Sequence, residues 1–367
     1  MAETFFKVSQ TLAQAAEIAI REVLDLKKDE TVLIITNPIE DVLKISQALY
    51  DSCFEVKAIP CLIVQPKKLP FDYTEPAVIS AMKSEPDVII SISAQKLGKD
   101  REALAEPYKG LDGKPYNHIF DQLLNGLKKT RAFWSPEVTV DIFVRTVSID
   151  YAKLRKVCAK VENSFKNAKT VHIQTELGTD INVSVEGRKA QNDDGDFRKP
   201  GKGGNLPAGE VFISPRLDES NGVIILDGSI ILDETRVLRM PVKITVENGH
   251  VTQVEGGKEG DQLRDYLHNA AKLPYKMFQQ GEITFDKAKE YSKNATNLGE
   301  LGIGLNPRAK IVGNILEDEK VLGTVHFAIG FNFDQDALAL IHSDCIVKNP
   351  TITIDQKTIM KKGKLLI

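Results

Sequence analysis

The sequence predicts an α/β protein in two parts, a doubly wound α/β lobe over residues 1–150 and a β-rich α+β lobe over residues 151–367. Three observations predict it. A chain of 367 residues is long for one small domain. Up to about residue 150, continuous apolar runs alternate with amphipathic helical stretches, the pattern of a parallel sheet covered on both faces. From Lys169 the texture changes to alternating, turn-rich sequence.

The elements follow in order. The opening MAETFFKVSQTLAQAAEIAI carries apolar residues at helical spacing and lacks a basic stretch leading into a continuous apolar core, so it reads as a helix and not a signal peptide. Residues 31–36 (TVLIIT) form a strand ending at Asn37-Pro38, and 39–50 return to helical periodicity. Further apolar runs at 55–64 and 87–92 supply more strands of the same sheet. No GxGxxG and no GxxxxGK[ST] follows the first strand, which argues against nucleotide binding. Residues 138–168 lack proline and glycine and are helical in at least their latter half, bridging the two parts. Beyond Lys169, VHIQTELGTDINVSVEG, EVFISP, GVIILDGSIIL and PVKITVENGHVTQVEGG read as strands, with Asn248-Gly249 as a hairpin turn. A helix is expected at 260–271, then strands at 301–305, 323–329, 338–347 and 351–354. The charged run at 193–196 (DDGD) with Arg198, Lys199 and Lys202 reads as a solvated loop that could border a site.

Composition narrows the function. Hydrophobic residues make up 42% and charged residues 27%, a globular balance. The formal net charge of −3 provides no positive field for nucleic acid or an anionic membrane. No stretch approaches the roughly 18 apolar residues that cross a bilayer. The 4 cysteines are scattered without CxxC spacing, which suits a reducing compartment and a cytoplasmic location.

The residues able to carry chemistry lie toward the C-terminus. In LIHSDCIVKNPTITID, His342 and Asp344 stand two apart on a strand and project together as a chelate. His326 sits inside the apolar run GTVHFAIG, an expensive place for an imidazole without a partner. Glu210 in NLPAGEVFISP and Glu300 in LGELGIGLNP each follow a glycine, which permits close approach of backbone and ligand. Glu210, Glu300, His326, His342 and Asp344 together form a nitrogen and oxygen set suited to zinc, cobalt, manganese or ferrous iron. Two divalent ions would offset the carboxylates of Glu210, Glu300 and Asp344 and leave one charge for a hydroxide.

These four motifs, in this order, resemble the aminopeptidase T and aminopeptidase S metallopeptidases in their shorter branch. The resemblance implies that all five residues occupy metal-ligand positions, that one glutamate doubles as general base (Glu300 is the choice here), and that the chain assembles as a homodimer or larger homo-oligomer. It implies a metal-dependent aminopeptidase with a dinuclear centre that acts on peptides. Two departures stand against the peptidase. Phe333 occupies the position, seven residues after His326, where the peptidases carry a tyrosine, and the stretch from His326 to His342 is short.

The same superfamily contains a dihydroxypyridine dioxygenase with a single ferrous ion. A mononuclear non-haem iron ring-cleaving dioxygenase using His326, His342 and Asp344 is therefore the alternative, with a small-molecule substrate. A non-catalytic, metal-containing binding protein is a third reading.

Overall fold

The structure is a computed structural model that describes residues 8–69 and 71–367. The first seven residues of the expected N-terminal helix lie outside the described residues. The remainder forms a helix at Gln10–Ile18, capped by the Ser9 hydroxyl on the Leu12 amide, and continues as a wider π turn over Ala19–Val23.

The chain divides into two compact units, one made of residues up to Arg155 together with Asp193–Ala208, the other of Lys156–Asn192 and Gly209–Ile367. The division falls inside the helix Tyr151–Ser164, and the passage Asp193–Ala208 returns to the first unit instead of staying with the second.

The first unit is a five-stranded parallel sheet in the order Gly203–Asn205, Arg131–Trp134, Val88–Ile92, Thr31–Thr36, Ile59–Val64. The two central strands are wholly buried apart from Thr31, which is why they read as unbroken β-branched runs. The helix expected at 39–50 runs over Glu40–Glu55. Arg131, nearly inaccessible, pairs both terminal guanidinium nitrogens with the Glu30 carboxylate at 2.9 and 2.6 Å and donates from Nε to the Leu24 carbonyl. The DDGD run is not the solvated loop expected of it. Asp193 and Phe197 are buried, and Gly195, at φ +70°, lies so close to the Tyr151 ring that a Cβ there would stand 2.5 Å from it. Packing beneath a buried tyrosine, which local composition does not reveal, overrides the loop-like charge pattern.

The second unit contains two antiparallel sheets. One hairpin joins Val242–Glu247 to His250–Glu255 through Asn248 (φ 49°) and Gly249 (φ 73°), the pair of left-handed residues that a two-residue turn requires. The helix expected at 260–271 is longer, Gly257–Gln279, because Pro274 is accommodated inside it, and a second helix, Phe285–Asn294, follows. The segment 138–168 holds two helices, Val140–Val147 and Tyr151–Ser164. In the seven-stranded sheet, Glu210–Ile213, Leu298–Gly304, Thr324–Gly330 and His342–Lys348 lie side by side in that order. Among the described residues no helix is long and apolar enough to cross a membrane.

Candidate metal centre

These four strands carry the five residues singled out above. Alternate side chains of a strand share a face, and the register fixes which ones meet. Glu210 is opposite Gly304, Gly302 opposite His326, Glu300 and Asp344 both opposite Ala328, and Gly330 opposite His342. Each large polar side chain is thus set against glycine or alanine on the neighbouring strand. The arrangement is sterically demanding, since a Cβ on Gly302 would stand 2.0 Å from Nε2 of His326. Glycine at 302 makes the room in which the imidazole lies.

Within the cluster His326 Nε2 is 3.1 Å from Glu300 Oε1 and 3.4 Å from Glu210 Oε2. His342 Nε2 is 3.5 Å from Asp344 Oδ1 and 3.9 Å from Glu300 Oε2. Two groups result, Glu210–Glu300–His326 and Glu300–His342–Asp344, each with potential ligand atoms within 4.8 Å of one another. Glu300 belongs to both. The trio His326, His342 and Asp344 does not itself form one of these tight groups, because His326 is turned toward the two glutamates. The Nδ1 of His342 lies 2.8 Å from the Phe331 carbonyl, an acceptor, so that nitrogen carries hydrogen and Nε2 is the atom presented to the cluster.

The electrostatics are those of a site short of positive charge. Burial opposes protonation of His326, but Glu300, Glu210 and Asp344 outweigh it and lift the imidazole to about 9. Burial likewise opposes protonation of His342, and Asp344 and Glu300 raise it to about 10. Burial would raise Asp344, yet the His342 imidazolium beside it holds the carboxyl below its ordinary range. The metal-free cluster therefore gathers protons to offset its carboxylates. Three buried polar atoms, Glu210 Oε2, His326 Nδ1 and Asp344 Oδ1, have no hydrogen-bond partner among the described residues. Unsatisfied buried donors and acceptors are costly, and two carboxylate oxygens left so beside imidazoles are what a divalent cation would complete. The donor set fits such an ion.

Two further residues belong to this region. Glu317-Asp318-Glu319-Lys320 reads as an exposed charged run, but Glu317, Asp318 and Lys320 are fully buried. Glu317 accepts from the Lys310 amide, and Asp318 from those of Val312 and Gly313, so these two acids tie down a loop. Lys320 instead extends its ammonium to Glu210 Oε1 at 2.5 Å and to Glu319 Oε1 at 2.7 Å. Burial pushes the Glu210 and Glu319 carboxyls upward, with Lys320 opposing in both cases. Four charged residues in a row carry no periodicity that would separate the inward pair from the loop ties. The only signal is their position immediately before the apolar strand that bears His326.

Phe333 is half exposed and meets Phe212 edge-on at 5.5 Å between ring centroids, while Phe331 lies edge-on to His342 at 6.1 Å. No phenolic hydroxyl stands at position 333.

An α/β unit joined to an antiparallel unit whose one sheet face gathers carboxylates and imidazoles is what the fold and the cluster define, a class of protein able to hold a divalent cation. The chain belongs to the 2,5-dihydroxypyridine 5,6-dioxygenase family, whose family model matches residues 138–367 and so includes all five cluster residues. A curated relative, the 2,5-dihydroxypyridine 5,6-dioxygenase of Pseudomonas putida, is 25% identical over 238 residues. That alignment spans 62% of this chain and 62% of the relative's length. Among solved structures, a 2,5-dihydroxypyridine dioxygenase from Pseudomonas putida superposes with a TM-score of 0.71 at 19% identity, covering 98% of both chains. AmpT from Thermus thermophilus superposes with a TM-score of 0.66 at 17% identity, covering 98% of this chain and 99% of its own. At such identities the superpositions speak for the fold alone. The expected likeness to the aminopeptidases holds at the level of the fold, whereas the matched family is that of the oxygenase and not of the aminopeptidases.

Proposed function

We propose that the protein is a non-haem iron dioxygenase that opens a dihydroxylated nitrogen heteroaromatic ring, with 2,5-dihydroxypyridine as the first substrate to try. The observation that carries this reading is the family match over residues 138–367, which contains the whole polar cluster. The residues assigned to hold the ion are Glu300, His342 and Asp344. When bound, a ferrous ion supplies the one-electron chemistry that lets dioxygen react with a spin-paired organic ring.

The chain's own side chains prepare the rest. The Phe331 carbonyl fixes the His342 ring so that Nε2 faces Asp344 and Glu300. His326 donates to Glu300 Oε1 and so fixes the carboxylate that faces both groups. Glu300 is also the residue assigned to take the proton of a ring hydroxyl as it enters, since its carboxylate is the one shared across the cluster. Phe331, beside His342, gives a flat substrate an aromatic edge to pack on. Burial of Glu210, Glu300, His326 and Asp344 keeps water from these side chains, while the part-exposed His342 stands at the open side of the cluster.

The test is oxygen consumption by protein reconstituted anaerobically with ferrous iron and then given 2,5-dihydroxypyridine, with loss of the ring's absorbance read in parallel. Uptake that requires both iron and substrate supports the reading; none with any dihydroxylated pyridine sinks it. One observation favours a second reading, a dinuclear aminopeptidase using zinc, cobalt or manganese, because Glu300 joins two groups as a bridging carboxylate would. Release of N-terminal residues from peptides in the absence of oxygen would select it.

A further inference from the structure

We propose that the Lys320 ammonium is a built-in cation standing in for a second metal ion, so that Glu210 serves Lys320 and the centre takes one divalent ion, at Glu300, His342 and Asp344. The inference deepens the mononuclear reading above and rests on it.

Lys320 is fully inaccessible to solvent and reaches Glu210 at 2.5 Å and Glu319 at 2.7 Å. The backbone around it is closely fixed. Its amide bonds to the Glu317 carbonyl, and its carbonyl accepts from the Asn306 amide at 2.8 Å. The strand bearing Glu300 runs against this segment at Gly304, where a Cβ would stand 2.2 Å from the Val321 carbonyl oxygen. The ammonium is therefore placed by the fold and not by a mobile side chain.

A dication on the Glu210–Glu300–His326 group would have to use Glu210 Oε2, the partner of the very oxygen that binds Lys320. Ion and ammonium would be separated by little more than the width of one carboxylate. In a buried setting like charges so close repel strongly. Among the described residues no lysine or arginine lies within ion-pair distance of the Glu300–His342–Asp344 group; Lys320 lowers the Asp344 carboxyl from farther off, and the contact partners there are imidazoles, which lose a proton on binding an ion. Glu210 then has the ammonium as its cation, and the Glu300–His342–Asp344 group has the metal.

The experiment is metal stoichiometry, measured by mass spectrometry and by calorimetric titration with cobalt(II) as the probe, on wild type, Lys320→Ala, Lys320→Arg, Glu210→Gln and Lys320→Ala/Glu210→Gln. Expected are one ion per chain for the wild type and Lys320→Arg, two for Lys320→Ala, and one again for the double variant. Glu210→Gln alone should keep the ion, with affinity lowered by no more than the ~10–100-fold seen for partners outside the ligand set. Two ions on the wild type, or a folded Lys320→Ala that still takes only one, overturns the proposal. Should Lys320→Ala not fold, Glu210→Gln decides, because loss of an ion from that variant overturns it and retention supports it. The readout involves no substrate, so one ion without oxygen uptake fails the oxygenase reading while sparing Lys320, and two ions with oxygen uptake does the reverse.

Discussion

Replacing Gly302 by alanine adds one methyl group at a point where the structure has no space for it. The three atoms nearest to such a Cβ, at 2.0, 2.1 and 2.8 Å, all belong to the His326 ring, and that ring is fully buried. Gly302 is absent from the positions of positive φ, so alanine meets no backbone penalty and the perturbation is purely one of overlap. Overpacking of this kind costs about 1–3 kcal/mol. Moving the imidazole also breaks its 3.1 Å bond to Glu300, and loss of a group that orients a ligand lowers ion affinity by about 10–100-fold. Urea denaturation of the metal-free protein reads the first quantity and cobalt titration the second. In Gly302→Ala/His326→Ala the overlap disappears, so the double variant should be more stable than the sum of the singles, a coupling that denaturation measures directly. A Gly302→Ala protein with wild-type stability and wild-type ion affinity would refute the reasoning.

Other outcomes follow from the same structure. Metal loading should release the proton of His342, raised to about 10 in the metal-free protein, and weaken the hold of His326, raised to about 9, on its own proton, so affinity rises with pH through the neutral range and proton release is measurable in weak buffer. For the metal-free fold the sign is opposite: the stability these two imidazoles confer is fully present below their unfolded value near 6.5 and is lost as pH rises through about 9 to 10. Denaturation midpoints between pH 6 and 10 check it, and a midpoint that climbs over that span contradicts it. Arg131→Ala should cost roughly 1–3 kcal/mol by removing the bidentate partner of Glu30, which keeps the Lys27 amide, with ion stoichiometry unchanged. Phe333→Tyr, at a half-exposed ring, should change stability by less than about 0.5 kcal/mol and confer no peptide hydrolysis. Gain of hydrolysis on that one substitution would argue for the aminopeptidase.

Much of the second unit's working face was legible because strand periodicity is simple. Residues two apart on a strand share a face, so His342 and Asp344 could be set side by side before any pairing was known, while Glu300 and His326 stood out as polar residues within apolar runs. Which of them touch depends on register, and register is a long-range property. The placement of Ala328 between Glu300 and Asp344, and of His326 against Gly302, appears only once the strands are paired. Lys320 was hidden for a different reason: a lysine in a charged run resembles a surface lysine, and only tertiary packing buries it. Similarly, Pro274 lies inside a helix that local rules would have ended before it, and the DDGD segment packs against Tyr151 despite its charge. The choice of oxygenase over peptidase was not readable from the cluster, since the same side chains suit both chemistries; it came from kinship across residues 138–367.

The central claim is ring opening by dioxygen, and isotopic labelling tests it most directly. Ferrous-loaded protein given 2,5-dihydroxypyridine under labelled dioxygen is predicted to yield a ring-opened product carrying both labelled atoms. A product without label, or no product and no oxygen consumed, would contradict it.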